Sequence, residues 1–411
     1  MEIKPILKIG VLGDIQGLPA RHDWGMSNFA RATEILKSRN VNVLLSLGDT
    51  AEGGNPDTYK LYWEILEENF GKDGITHIAC EGNHDLGNKN LNNFTEAFQR
   101  ACAGIKQPAQ LLYHKNVSGI DFISFAEDEV GKYSKESCQQ LRSFLEQFSA
   151  DKPLFLLTHY PPAKTMAGSS DKSGIQNLRD VLNDFPQVIS LSGHTHWPLE
   201  DDQYLWQGNF TAITASSLSY GFMRGDYFNS LSGLIPYGRE AIQILYMELY
   251  ADCLKIERIH VLDNRTIGNI DKVYLPYSPE NKIYSTPSSQ PRFPENARLL
   301  VRYDFGYMYL GFDRPEGIDT LYLDVEIIPA NPENGKTQTI RYVNEFYRQQ
   351  VNRAGMMFIK LPGDGMIDDA DYIIKLYPVN TWETRGEPLE IKEHTWKGYT
   401  FKDGALLYPQ E

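Results

Sequence analysis

An apolar run near the start of the chain ends in two polar residues, Ile6-Leu-Lys-Ile-Gly-Val-Leu-Gly-Asp-Ile-Gln16. An apolar run that stops at a glycine is typical of a buried β-strand followed by a turn. Similar runs alternate with amphipathic helix patterns up to about residue 200, which predicts helices packed on a largely parallel sheet and an α/β fold. The other runs are Val41–Leu47, Ile75–Cys80, Phe122–Phe125, Leu154–Leu157 and Val188–Leu191.

Nearly every one of these runs is followed at once by side chains that bind metal ions. The carboxyl ends of the strands of an α/β sheet share one edge, where ligands bind, so these side chains are expected to converge. Glycines stand directly before four of the groups and are expected to permit the tight turns that convergence needs. The seven side chains are those of Asp14, Gln16, Asp49, Asn83, His159, His194 and His196, and His84 and Asp85 follow Asn83 in the same block.

Carboxylates, imidazoles and amide oxygens without a thiolate suit hard or borderline divalent ions such as Mn²⁺, Fe, Zn²⁺ or Ni²⁺. Seven ligands are too many for one ion, whereas two ions that share a bridging carboxylate use them all. Two such ions clamp the attacking and leaving oxygens of a phosphoryl displacement and lower the pKa of a water between them. The sequence therefore predicts a hydrolytic site for phosphoesters.

The five ordered blocks resemble the calcineurin-like metallophosphoesterases. The resemblance covers about residues 8–260. It implies a four-layer α/β/β/α catalytic domain with two divalent ions. The blocks are Gly13-Asp-Ile-Gln16, Gly48-Asp49, Gly82-Asn-His-Asp85, His159 and Gly193-His-Thr-His196.

The same resemblance implies a role for each residue. A hydroxide between the two ions would attack phosphorus in line. His84, oriented by Asp85, would stabilise the transition state or protonate the leaving oxygen. The implied metal ligands are Asp49 as the bridge, Asp14 and His196 for the first ion, and Asn83, His159 and His194 for the second.

Gln16 departs from the family pattern, since most members have a histidine at this position. An amide oxygen binds a hard cation more weakly than imidazole does, so the first site is expected to be weaker or to favour Mn²⁺ or Mg²⁺. Gln16 either binds the ion or only hydrogen-bonds a metal-bound water. The Asp-Ile-Gln variant resembles the branch of manganese-dependent ADP-ribose/CDP-alcohol diphosphatases, which favours a diester or pyrophosphate substrate.

Several residues near the blocks are candidates for substrate contact. An arginine can pair with phosphate oxygens and an aromatic ring can stack on a planar group, but a solvated loop or plain core packing accounts for them equally well. The candidates are Arg21, His22, Trp24, Tyr160, Trp197 and Tyr220. The segment Thr214–Gly221 resembles a loop that closes the site in relatives. The acidic runs Glu127–Glu129 and Glu200–Asp202 are expected to be solvated turns.

The charge of the chain limits its partners. Its 411 residues include 40 basic and 54 acidic ones, for a net charge of −14. Such a chain repels polymeric nucleic acid and anionic membranes, so a small phosphorylated substrate is expected and a nuclease is disfavoured. No apolar run is long enough to span a membrane. The four cysteines show no zinc spacing and are expected to be buried and structural. The oligomeric state stays open.

The chain is expected to form two domains joined by a linker. Residues 1–275 form the metallophosphoesterase domain, residues 276–296 a Pro/Ser-rich linker with five prolines, and residues 297–411 a β-sandwich. The stretches Asp371–Asn380 and Gly386–Leu389 resemble a fibronectin-III-like module of the kind that follows this domain in some secreted bacterial members. That favours an extracytoplasmic location if a leader peptide was removed, and a cytoplasmic one otherwise.

Two further functions stay open beside the small-molecule phosphoesterase. The first is a pyrophosphatase acting on nucleotide-diphosphate conjugates, which Gln16 favours. The second is a metal-stabilised interaction module without catalysis, which the loss of His84 or Asp49 would have indicated. Both residues are present.

Overall fold

The structure is a computed structural model that describes residues 4–411 except 73, 88–93, 171–172, 224–234, 282–289, 305–306, 318–319, 354, 362–365, 368, 396–399, 403–404 and 408–411. The chain divides into two compact units. One comprises Met1–Met223 and Tyr237–Ser285, and the other Arg224–Pro236 and Thr286–Glu411. The middle of the expected linker, residues 282–289, lies outside the described residues.

The first unit alternates helices with strands up to β7, as the patterns predicted, except that β4 and β5 follow one another as an antiparallel pair. Its helices are α1 (Trp24–Ser38), α2 (Pro56–Phe70), α3 (Phe94–Gly104), α4 (Lys135–Leu145) and α5 (Gln176–Leu182). Its strands are β1 (Leu7–Leu12), β2 (Val43–Leu47), β3 (Thr76–Cys80), β4 (Leu112–Val117), β5 (Ile120–Phe125), β6 (Leu154–Thr158), β7 (Val188–Ser192), β8 (Leu205–Gln207), β9 (Thr211–Thr214), β10 (Gln243–Leu249), β11 (Cys253–His260) and β12 (Arg265–Tyr274).

These strands form two mixed six-stranded sheets. The first has the order β12-β11-β10-β1-β2-β3, and the second has the order β4-β5-β6-β7-β9-β8. Strands β1, β2 and β3 run parallel to one another, as do β5, β6, β7 and β9. The carboxyl ends of each parallel set therefore lie on one edge, which is where the polar blocks follow the strands.

Each sheet is buried on both faces because apolar side chains of successive residues point to opposite sides. On β2, Val43 and Leu45 belong to a core that also contains Phe122 and Phe155 of the second sheet. Leu44 belongs to a core shared with helices α1 and α2. A third core joins the other face of the second sheet to helices α4 and α5.

Residues outside the two helices fix where α1 begins and α2 ends. Helix α1 starts at Trp24, where the Asp23 carboxylate caps it by accepting the backbone N–H of Met26 at 3.2 Å. Helix α2 starts with Pro56 at its first position and ends where Gly71 adopts a φ of 76°.

The second unit contains two sheets with a common core and a two-stranded sheet of β20 and β21. One sheet has the order β13-β14-β17 and the other β16-β15-β18-β19. Met308 and Leu310 of the first sheet share one apolar cluster with Leu323, Ile374 and Leu376 of the second. The strands are β13 (Leu299–Asp304), β14 (Tyr307–Asp313), β15 (Thr320–Pro329), β16 (Gln338–Val343), β17 (Met356–Lys360), β18 (Ala370–Asn380), β19 (Leu389–Thr395), β20 (Thr400–Lys402) and β21 (Ala405–Leu407).

The structure also describes the cysteines and the apolar character of the helices. All four cysteines are buried and unpaired, as expected: Cys80, Cys102, Cys138 and Cys253. Among the described residues, no helix combines the length and the apolar character that a membrane span requires.

Candidate metal centre

Three of the predicted ligands converge at the edge where β1, β2 and β7 end. Asp14, Asp49 and His196 each offer one ligand atom, and these atoms lie within 4.8 Å of one another. All three side chains are buried, and His196 Nε2 lies 3.0 Å from Asp14 Oδ1. This group, with Gln16 beside it, is called the first half of the centre.

The other three predicted ligands meet beside Asp49. Asn83 Oδ1 lies 3.1 Å from His159 Nε2 and 3.2 Å from His194 Nδ1. His159 Nε2 lies 3.4 Å from Asp49 Oδ2, so this group adjoins the bridge that the resemblance implied. Asn83, His159 and His194 are called the second half of the centre.

The hydrogen bonds of two imidazoles leave the nitrogen that faces the centre free to bind a metal. His159 Nδ1 lies 2.8 Å from the Leu47 carbonyl oxygen, and His196 Nδ1 lies 3.0 Å from the Tyr220 carbonyl oxygen. A carbonyl only accepts, so Nδ1 donates its proton to the carbonyl, and Nε2 is the ring nitrogen directed at the centre. Metal-binding histidines usually have such a second partner. The donor set, two carboxylates, three imidazoles and two amides, fits hard or borderline divalent ions.

The ligands themselves, rather than the glycines before them, adopt the left-handed backbone conformation. Asp14 has a φ of 52°, Asp49 of 53°, His194 of 65° and His196 of 51°. Of the four glycines expected to permit the turns, Gly48 alone has a positive φ, of 86°. Non-glycine residues rarely adopt this conformation, and its local cost is typical of functional sites.

The glycines of the blocks serve mainly to let the loops approach one another closely. A Cβ on Gly193 would lie 2.6 Å from Asp14 Oδ2 and 2.8 Å from the Leu47 carbonyl oxygen. A Cβ on Gly82 would collide with the carboxylate and backbone nitrogen of Asp49. The expectation that these glycines supply turn conformations is therefore wrong for Gly82 and Gly193, where the requirement is for space.

The partner of His84 differs from the one expected. His84 Nδ1 lies 2.6 Å from Glu52 Oε2, and its Nε2 lies 3.8 Å from Asp49 Oδ2. Asp85 does not orient this ring, because its two oxygens accept other hydrogen bonds. They come from the backbone N–H groups of Thr50, Ala51 and Gly82 and from the Tyr59 hydroxyl, at 2.7–3.1 Å. The expected His84–Asp85 pair is thus replaced by a His84–Glu52 pair, and Asp85 fixes the loops around it.

Burial and charge act against each other on the acidic groups of the centre. Burial raises the pKa of Asp85 to about 6, and the neighbouring Asp49 charge adds to this rise. Burial acts on Asp49 in the same direction, but His159 and His84 lower its pKa below the usual range. Asp49 is therefore ionised and suited to lie between two cations.

The acidic runs are only partly the solvated turns that were expected, because Glu129 is exposed but Glu127 and Glu200 are buried. Glu127 is 2% exposed, and burial raises the pKa of its carboxyl to about 8. Glu200 is 1% exposed and accepts a hydrogen bond from Gln243 Nε2 at 2.6 Å, with Arg265 at 3.3 Å. The runs of acidic residues predicted solvent exposure, whereas hydrogen bonds to buried polar groups allow the Glu127 and Glu200 carboxyls to lie in the interior.

The candidates for substrate contact have different surroundings. The Arg21 guanidinium is paired with Glu68 at 2.9 Å, and His22 is exposed. Trp197 is 8% exposed and its indole N–H donates to Asp201 Oδ2 at 2.8 Å, which is core packing. Trp24 is 39% exposed, and its indole N–H donates to the Ser219 carbonyl oxygen at 2.9 Å.

Two aromatic candidates contact the predicted ligands directly. The Tyr160 ring lies 3.8 Å from the His194 ring between centroids, and its hydroxyl donates to Asn83 Oδ1 at 3.2 Å. The Tyr220 ring lies 4.4 Å from the His196 ring. One aromatic side chain thus adjoins each half of the centre.

Sequence reasoning missed four residues that position the site. Glu52 and Tyr59 bind His84 and Asp85, as described above, and Ser217 donates to the Asp14 carbonyl oxygen at 3.0 Å. Ser219 Oγ lies 3.1 Å from Gln16 Oε1. The two serines lie in the segment Thr214–Gly221, whose resemblance to a loop that closes the site could have indicated them. Glu52 stands three residues after Asp49 but outside any block that the sequence singled out.

Comparison with known proteins places this geometry in a class. Residues 7–198 match the calcineurin-like phosphoesterase family. The match covers a little under half of the chain, and this part is similar to the calcineurin-like phosphoesterases. This match ends just after the last predicted ligand, His196, and leaves the Ser217–Tyr220 segment outside.

One curated relative is a probable cyclic nucleotide phosphodiesterase of Synechococcus sp., 27% identical over 166 residues. The match covers 39% of this chain and 60% of the relative's length. A dimetal phosphatase from Danio rerio is 14% identical, with a TM-score of 0.44, over 64% of this chain and 99% of that one. The purple acid phosphatase PPD1 from yellow lupin is 12% identical, with a TM-score of 0.49, over 69% of this chain and 57% of that one.

Proposed function

We propose that this chain hydrolyses a small-molecule phosphoester with two divalent metal ions. The observation that carries the proposal is the meeting of two ligand groups at one buried carboxylate, Asp49. Asp14 and His196, with Gln16, would bind the first ion. Asn83, His159 and His194 would bind the second. Asp49, one of whose oxygens faces His159, would bind both.

When bound, such ions neutralise charge on the phosphoryl oxygens and lower the pKa of a water. His84 lies at the rim of the centre, with 32% of its side chain exposed, so a leaving group can reach it. Glu52 accepts a hydrogen bond from the Nδ1–H group of His84 and stabilises the imidazolium. The Nε2–H group can therefore donate its proton to the leaving oxygen. Asp85 keeps the surrounding loops in place through its four hydrogen bonds.

A diester with a planar organic group suits the surface beside the first half. Trp24 is 39% exposed and Leu18 is 49% exposed, and Leu18 follows Gln16 by two residues. The exposed face of an indole can stack on a ring such as a nucleobase. The name of the Synechococcus relative supports the same chemical class. A small cyclic or linear phosphodiester is therefore the proposed substrate.

A pyrophosphate of the ADP-ribose or CDP-alcohol type is the second candidate. Gln16 favours it, since the Asp-Ile-Gln variant stands at the first half with its amide 3.4 Å from His196 Nε2. Both substrates contain an organic group next to a phosphate, so the surface at Trp24 serves either one.

The architecture proposed from the sequence is supported by the arrangement of the cores. A core between two sheets and a helix-lined core on the other face of each sheet favour a four-layer α/β/β/α sandwich for the first unit. The three- and four-stranded sheets of the second unit favour a fibronectin-III-like β-sandwich. The division near residue 285 favours a linker in the proline-rich stretch.

The function is tested with the purified full chain after chelation and after addition of Mn²⁺. We expect turnover of bis-p-nitrophenyl phosphate that falls to background on chelation and returns with Mn²⁺. Parallel assays with p-nitrophenyl phosphate, 3′,5′-cyclic AMP and ADP-ribose separate monoester, diester and pyrophosphate substrates. No turnover of any of the four under any metal would contradict an enzymatic function and favour the silent metal-binding module.

The surface at Trp24 is tested separately. We expect Trp24→Ala to raise the KM for a nucleotide substrate on the order of tenfold, since base–aromatic stacking contributes about 1–3 kcal/mol. Trp24→Phe keeps an aromatic face and should recover most of this loss. An unchanged KM in Trp24→Ala with intact metal content would exclude stacking at this residue.

A further inference from the structure

The backbone of Ser219 is fixed beside the first half of the centre. Its N–H donates to Ser217 Oγ at 2.9 Å, and its carbonyl accepts the Trp24 indole N–H at 2.9 Å. The preceding carbonyl, that of Leu218, accepts from Asn28 Nδ2 at 2.9 Å. Ser219 is 7% exposed, so rotation of its hydroxyl is the main freedom left to it.

That hydroxyl contacts one end of the Gln16 amide, and the other end contacts a metal ligand. Ser219 Oγ lies 3.1 Å from Gln16 Oε1, and Gln16 Nε2 lies 3.4 Å from His196 Nε2. His196 Nε2 also lies 3.0 Å from Asp14 Oδ1, while His196 Nδ1 donates to the Tyr220 carbonyl oxygen. The amide N–H group therefore faces the atom that an ion in the first half would bind.

Binding of an ion requires the amide to turn. A half-turn about the last side-chain torsion of Gln16 exchanges its oxygen and nitrogen, and directs the oxygen at the centre. The nitrogen then faces Ser219 Oγ, which must accept instead of donate. A hydroxyl can do either, whereas a carbonyl or an N–H group can do only one. The Tyr220 hydroxyl, which also hydrogen-bonds Gln16, permits the same exchange.

The proton that Ser219 no longer donates to Gln16 has another acceptor. Ser217 Oγ lies 3.0 Å from Ser219 Oγ, and Ser217 itself donates to the Asp14 carbonyl oxygen at 3.0 Å. After the turn, the donors run in one direction from Gln16 through Ser219 and Ser217 to the backbone of Asp14. Both ends of this chain of hydrogen bonds belong to residues of the first half.

We infer that Ser219 is a positioning residue that directs the Gln16 oxygen at the first ion and thereby sets the affinity of that ion. The inference rests on the proposed function, since it requires an ion bound by Asp14, Asp49 and His196. Ser219 acts through Gln16 and contacts neither the ion nor the substrate.

The test measures Mn²⁺ affinity rather than turnover. The full chain is stripped with a chelator and titrated with Mn²⁺, and free Mn²⁺ is followed by electron paramagnetic resonance. We expect two sites in the wild type. Ser219→Ala should weaken one site on the order of tenfold, the effect usual for an outer-shell partner of a metal ligand. It should leave the other site within about twofold, and Ser219→Thr, which keeps the hydroxyl, should recover most of the loss.

Two further variants show whether Ser219 acts through Gln16. Ser216 belongs to the same segment, and its buried hydroxyl has no hydrogen-bond partner among the described residues. Ser216→Ala should therefore change the Mn²⁺ affinity of neither site. In a Gln16→Ala background, Ser219→Ala should have less than about a twofold effect, because its target is gone.

The outcomes separate the inference from the proposed function. Equal weakening by Ser219→Ala with and without Gln16, or no weakening at all while Gln16→Ala weakens one site, would overturn the role of Ser219 alone. Two sites that ignore both Gln16→Ala and Ser219→Ala would overturn Gln16 as a ligand as well. A wild-type chain that binds no Mn²⁺ would contradict the proposed function itself.

Discussion

The two halves of the centre are built in different ways around Asp49. In the second half, the donor atoms approach one another directly, and Asn83 Oδ1 lies within 3.2 Å of both His159 and His194. In the first half, the side chains depend on a separate segment, because His196 is fixed by the Tyr220 carbonyl and Gln16 by the Ser219 hydroxyl.

The difference follows from the topology. Strands β6 and β7 are adjacent and parallel, so their carboxyl ends bring His159 and His194 together. Gln16 and His196 instead lie beside the residues that follow β9, where Ser216 has a φ of 61° and Ser217 contacts Asp14. An ordinary sheet edge thus forms one half, and an added loop completes the other.

The largest effect is expected from removing the carboxylate that joins the halves. Asp49→Ala should lower kcat/KM by more than about a thousandfold, a rise of roughly 4 kcal/mol in activation free energy. It should also reduce bound metal in both halves, measured by inductively coupled plasma mass spectrometry. Asp151→Ala, at an exposed position, is the matched control and should behave as wild type. Full activity of Asp49→Ala would refute the two-ion centre.

A smaller and selective effect is expected from removing one histidine of each half. His194→Ala and His196→Ala should each lower kcat on the order of a hundredfold, as loss of a group that stabilises transition-state charge typically does. Mn²⁺ titration should show that each variant loses one site and keeps the other. If either variant loses both sites to the same extent, the two halves bind metal as a single unit rather than separately.

Glu52 should affect catalysis without affecting either half. Glu52→Gln keeps the shape but not the charge that stabilises the His84 imidazolium, so we expect kcat to fall on the order of tenfold. Its metal content should equal that of wild type and of Glu146→Gln, an exposed control. A drop in bound metal would show that Glu52 supports the ligands rather than His84.

The smallest effect is expected from Tyr160, which contacts the second half. Tyr160→Phe keeps the ring against His194 but removes the hydrogen bond to Asn83, whose contribution is about 0.5–1.5 kcal/mol. Mn²⁺ affinity of one site should therefore fall about two- to tenfold. This is the counterpart of Ser219→Ala, and the two effects should fall on different sites. If both variants weaken the same site, the division into halves is wrong.

The sequence predicted which residues converge because their positions depend on one simple rule. A polar residue directly after a buried parallel strand lies at the edge shared with its neighbours, and this rule alone brings Asp14, Asp49 and His159 together. The apolar runs and helix patterns also predicted the α/β order of the first part, and the residues after 297 were expected to form β-strands, as they do.

The contacts that fix those residues could not be predicted in the same way. Glu52 and Ser219 reach the centre through loops, whose course depends on packing that no local pattern records. The same limit explains why Asp85 was paired with the wrong partner: the family resemblance implied His84, whereas the backbone N–H groups of Thr50 and Ala51 donate to Asp85. Short strands such as β8, which has three residues, are too short for an alternating apolar pattern to be recognised.

The most direct test of the account is anomalous diffraction from crystals of the full chain soaked in Mn²⁺. We expect two anomalous-difference peaks about 3.5–4 Å apart, with an Asp49 carboxylate oxygen between them. One peak should contact Asp14, Gln16 and His196, and the other Asn83, His159 and His194. A single peak, or two peaks that do not share Asp49, would contradict it.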